Sequence, residues 1–188
     1  DPSSSSTPAL TSCDTTVVDQ GQKGSVLAVS RGSYSDVELI PGTANPAVAY
    51  TDAGSLSLKF SYWNGSGYTT EVVSGDSTGA FVRLAFLSTG IPMVFWTLGV
   101  NVKVAIRSAA ITSAGTWSAG VIDTGTAPRA LEVSVSPLDQ VGLIFLTDTA
   151  VAGRPKFVYC DTGCTGPASF RAMSPNPYIE NTNLVAAQ

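Results

Sequence analysis

The chain has 188 residues, no histidine, 13% charged and 44% hydrophobic residues, and a net charge of −4. That length is enough for one domain with a core, and so few charges disfavour long surface helices. An acidic chain with no cluster of Lys or Arg is a poor nucleic-acid binder, and no apolar run is long enough to cross a membrane as a helix.

In chain order, residues 1–12, DPSSSSTPALTS, read as a flexible linker exposed after processing or trimming, without a charged-then-apolar signal pattern. Residues 13–33 are expected to form a partial unit. TTVVDQG resembles a last strand, and SVLAVS an extra one. Three complete units follow over 34–79, 80–128 and 129–175, separated by turns such as SGDSTG and DTGTAPR. Residues 176–188, with TNLVAAQ, read as the first strand of a further unit.

Each complete unit contains the same succession of short apolar strands. The first strands are VELI, VRLAF and LEVSV, and the second are PAVAYTD, PMVFWTL and GLIFLTD. The third are LKFSYW, VKVAIR and PKFVYC. The fourth open on an aromatic, at Tyr68, Trp117 and Phe170. Thr51, Thr97 and Thr147 are expected at one repeat position, as are Glu38 with Glu132, and Leu39 with Leu84, Val133 and Leu184. Four strands in about 45–50 residues is the arithmetic of a propeller blade. The expected fold is therefore all-β: a β-propeller-type array of four-stranded antiparallel blades, about three complete, with partial blades at both ends. Such an array has exposed edges. It is expected to be a fragment or to be completed by a second chain or further copies. A split blade made from both ends, or an open β-array, are the alternatives.

Cys160 and Cys164 bracket the turn CDTGC, within reach of a disulfide across a hairpin. The alternatives are two free thiols or half of a metal site, and zinc would need ligands that a chain without histidine lacks. A disulfide points to an extracellular or secreted setting. Cys13 is left free, paired outside the chain, or parted from a lost partner.

The motifs LKFSYWNGSGYTTEVVSG at 58–75, STGIPMVFW at 88–96 and YCDTGCTGPASF at 159–170 resemble a family of bacterial extracellular repeat β-propellers. The resemblance covers about residues 35–175 and concerns structural positions, so it implies a fold more than an activity. Leu98 stands where the other units have Asp52 and Asp148, and Phe170 stands for the blade tryptophan. These departures weaken any ligand site repeated in every blade.

The repeated Lys59, Lys103 and Lys156 are expected on a solvated strand face, with anion binding in a channel as the alternative. Asp52 and Asp148 suit Asx-type turns better than Ca²⁺ ligation, and no cofactor is expected. The recurring aromatics are expected to pack in the core, while Trp63 and Trp96 are the candidate ligand contacts. Without histidine a Ser-His-Asp triad is excluded. The expected function is a non-catalytic extracellular or cell-surface module for binding, adhesion or structure, with protein or glycan partners. A glycan-binding lectin and a glycoside hydrolase or lyase using Asp/Glu pairs are the alternatives.

Overall fold

A computed structural model describes residues 31–76, 79–125, 128–147 and 154–172. The proposed linker, the strands TTVVDQG and SVLAVS, Cys13, Asp148 and the segment 176–188 lie outside the described residues. Within them the chain is all-β, with one 3-10 turn at Pro167–Ser169 and no α-helix.

Twelve strands form three four-stranded antiparallel sheets, each in chain order. The first sheet contains β1 (Arg31–Leu39), β2 (Pro46–Asp52), β3 (Ser57–Trp63) and β4 (Tyr68–Ser74). The middle sheet contains β5 (Ala80–Phe86), β6 (Pro92–Leu98), β7 (Asn101–Arg107) and β8 (Trp117–Thr124). The third contains β9 (Pro128–Val135), β10 (Val141–Thr147), β11 (Arg154–Cys160) and β12 (Arg171–Ala172). Among the described residues the stack is open, with no closed ring.

The middle sheet is the centre of the packing. Successive side chains of a strand point to opposite faces. Val82, Leu84, Val94, Trp96 and Ala105 pack with Ala47, Ala49, Phe60 and Tyr62 of the first sheet. From the other face, Met93, Phe95, Val104 and Ile106 pack with Leu131, Leu143, Phe145 and Val158 of the third. A strand covered on both sides loses the alternation of a half-buried one and becomes continuously apolar. This is why PMVFWTL reads without a polar face until Thr97. The first strands of the sheets, β1, β5 and β9, neighbour one another across the stack.

The hairpin turns place a left-handed residue where the chain reverses. Gly90 (φ 80°) closes β5–β6 by donating to the Leu87 carbonyl at 2.9 Å, and Asp139 (φ 60°) does the same to Ser136 at 2.9 Å. Asp tolerates this region better than most side chains because its short polar group bonds locally.

The pairing register corrects the sequence alignment of the units. The three lysines lie opposite Tyr50, Trp96 and Phe145. Thr51 and Thr97 are therefore equivalent to Leu146, while Thr147 is equivalent to Asp52. Likewise Asp36, Arg83 and Glu132 lie opposite Ala49, Phe95 and Ile144. Glu132 thus matches Asp36, not Glu38, and Leu39 matches Phe86 rather than Leu84. Like residues one or two places apart had concealed the true offset.

The last strand of the third sheet is also shorter than SFRAM suggests. Only Arg171 and Ala172 pair, with Tyr159 and Val158. Upstream, the Cys160–Cys164 disulfide (Cα–Cα 5.9 Å) and the Pro167 turn divert the backbone, and a proline has no N–H for a ladder. Phe170 still reaches the core, edge-on to Phe95 with ring centroids 5.8 Å apart.

Candidate functional site

The repeated lysines are not on a solvated face. Lys59 bonds Asp52 at 2.9 Å, Lys103 bonds Asp76 at 2.6 Å and Lys156 bonds Asp123 at 2.5 Å. Their side chains are 15%, 18% and 34% exposed. In the second and third copies the acid comes from the preceding sheet or just after it: Asp76 follows β4, and Asp123 lies in β8. These lysines clip one sheet to the next. Asp76 also accepts the Trp96 indole N–H at 3.1 Å, and the Lys103 ammonium lies 5.4 Å from that ring's centroid.

Asp52 forms the expected Asx turn, accepting from the Gly54 and Ser55 amides at 2.9 and 3.3 Å. Its other oxygen accepts the Ser55 hydroxyl at 2.8 Å. Burial alone would push this carboxyl up, but Lys59 and the turn donors outweigh it and hold it far below the usual carboxylate range. The same opposition, burial against Lys103 and the Ser74 and Trp96 donors, leaves Asp76 lowered as well.

Further bridges were not legible as repeats. Arg83 forks onto Glu132 at 3.1 and 2.7 Å, joining β5 to β9. Arg107 forks onto Glu71 at 3.0 Å through both nitrogens, joining β7 to β4, and Trp117 donates to the same carboxylate at 2.8 Å. Asp36 accepts the Leu84 amide at 2.9 Å, and Asp139 accepts the Ser88 amide and hydroxyl at 2.6 and 2.8 Å. One signal was available for the lysine clips. An acid closes each of EVVSGD and VID where a fourth strand ends.

Of the two candidate ligand contacts, Trp96 is corrected: it is 0% exposed, sealed beneath Lys103 and against Gly79. A Cβ at Gly79 would lie 2.8 Å from the indole. Trp63 is half-buried and edge-on to Tyr68 at 5.4 Å. It lies beside a turn tied by Asn64, whose side-chain oxygen accepts the Ser66 and Gly67 amides at 3.0 Å. Trp117 packs on Phe60 at 5.4 Å, between the first and middle sheets.

The largest open feature is on the third sheet. Its face away from the middle sheet carries a shallow concavity of about 680 Å³, lined by Glu132, Ser134, Gly142, Ile144, Phe157 and Tyr159. Phe157 and Tyr159 stack with centroids 6.0 Å apart and an 11° interplanar angle. Gly142 creates the hollow, since a Cβ there would meet the Phe157 ring at 3.1 Å. By register this face is equivalent to Ala47, Ala49, Phe60 and Tyr62 in the first sheet and to Met93, Phe95, Val104 and Ile106 in the middle one. Those residues are buried beneath the next sheet. In the third sheet Ile144 is 48% and Leu146 42% exposed.

Among the described residues, no group of three or more His, Cys, Asp or Glu side chains could hold a metal ion, and no helix is long and apolar enough to cross a membrane. The chain matches no protein-family model and no curated protein sequence.

Proposed function

We propose that this chain is a propeller-type repeat scaffold acting outside the cell as a non-catalytic module for binding, adhesion or structure. The observation that carries this reading is what its acids do. Asp52, Glu71, Asp76, Asp123 and Glu132 are each engaged by a Lys or Arg, and Asp36 and Asp139 bond to the neighbouring sheet's backbone. A glycosidase needs two carboxyl groups free to face a sugar. Here seven carboxylates serve to hold sheets and turns in place. The radial succession of first strands β1, β5 and β9 supports the propeller-type arrangement, and the disulfide supports an oxidising compartment. The partners proposed are proteins or glycans, met by the hairpin turns and the outer face of the third sheet.

The test is incubation with a panel of polysaccharides and chromogenic glycosides, alongside binding to the same polysaccharides immobilised. The expected result is no turnover. Hydrolysis that disappears in Glu38→Gln would overturn the reading. A lectin is favoured by one observation, the half-buried Trp63 beside its turn. It predicts glycan binding that falls at least about tenfold in Trp63→Ala, in line with one stacked aromatic.

A further inference from the structure

We propose that the outer face of the third sheet is a homodimer interface, covered by the same face of a second copy of this chain about a two-fold axis. The inference goes beyond the scaffold reading and rests on how the sheets stack. Twice within the molecule, the face equivalent to Gly142, Ile144, Phe157 and Tyr159 is buried under another β-sheet. The third time it presents exposed Ile144 and Leu146 and a stacked aromatic pair. A third apolar sheet is therefore the occupant this surface is shaped to take.

A head-to-tail neighbour would offer the opposite face of its first sheet. That face is already covered: Tyr50 is 8% and Ser61 0% exposed. The face a second copy does have open is the same one, and matching like to like gives an isologous, closed dimer. The charges agree. Glu132 lies on β9 at one edge of the face and Arg171 on β12 at the other. Both are exposed. A two-fold axis parallel to the strands, between β10 and β11, brings the Glu132 edge over the Arg171 edge of the second copy, twice per dimer.

Sedimentation velocity of the whole chain, up to about 100 µM, tests this, with circular dichroism to confirm that each variant is folded. The expected mass is twice the 19.3 kDa of one chain. Ile144→Glu and Tyr159→Glu are expected to weaken association at least about tenfold, as truncating a central contact does. Because these changes are apolar-to-charged, a surface charge swap provides a second readout. Glu132→Lys and Arg171→Glu singly weaken the dimer, and the double variant restores it. A wild-type chain that stays monomeric throughout, or a dimer unmoved by Ile144→Glu and Tyr159→Glu, overturns the interface. Neither outcome touches the absence of turnover on which the scaffold reading is tested.

Discussion

Asp76 receives both the Lys103 ammonium and the Trp96 indole N–H, and it stands in the connection between two sheets. Removing it in Asp76→Ala leaves a largely buried ammonium and an indole N–H without that acceptor. Losing one partner of such a pair costs about 3 kcal/mol, so the thermal midpoint should drop clearly below that of the parent. Its titration has a definite sign. The folded value lies below the unfolded value of about 3.9, so its contribution is fully present above that unfolded value. It is lost as pH falls through the folded value. Thermal melts across pH should show a plateau near neutrality and a decline at acid pH, with a shallower decline in Asp76→Asn. Equal acid limbs in the two proteins would refute the role. The recurring lysines were plain in the sequence, but their function was not. Asp76 is 27 residues from Lys103 and Asp123 is 33 from Lys156, and only packed sheets bring them together. For the same reason Trp96 looked available from its sequence context. Its burial comes from the sheet stacked on it and the lysine laid across it.

The strand and turn pattern was more legible than the contacts between elements. Apolar runs punctuated by Gly, Pro, Asn and Asp reveal where β-strands begin and end, because those residues set the turns. The register between copies was not legible, since Thr147 and Glu132 offer matching letters at the wrong offset. The short β12 was hidden for a different reason. Nothing local in SFRAM announces that the Cys160–Cys164 clasp and Pro167 precede it as a detour. That detour has a specific footing: Pro167 lies directly on β8 at Gly120, where an added Cβ would come within 2.8 and 2.9 Å of the proline ring. Gly120→Ala therefore forces β8 and the 3-10 turn apart, at an expected cost of about 1–3 kcal/mol. Gly67→Ala, where a Cβ meets nothing within 4 Å, is the control and should stay near the parent. A Gly120→Ala protein as stable as that control in chemical denaturation would show that the turn does not rest there.

At the scale of the whole molecule, the middle sheet is sandwiched between the other two, with aromatic contacts on both of its faces. Sequence repetition correctly implied three similar sheets. It could not show that charged clips, Lys103 to Asp76, Lys156 to Asp123, Arg83 to Glu132 and Arg107 to Glu71, fasten each sheet to its neighbour, because none of these pairs is local. The proposed scaffold role and the proposed dimer face both depend on this stacking. The most direct check is a nuclear Overhauser spectrum of the aromatic side chains. Phe60 of the first sheet lies 5.4 Å from Trp117 of the middle sheet, and Phe95 of the middle sheet lies 5.8 Å from Phe170 beside the third, ring centre to ring centre. Stacking in this order predicts cross-peaks for both pairs in the same folded protein. A folded protein in which Phe95 and Phe60 both lack these partners would contradict it.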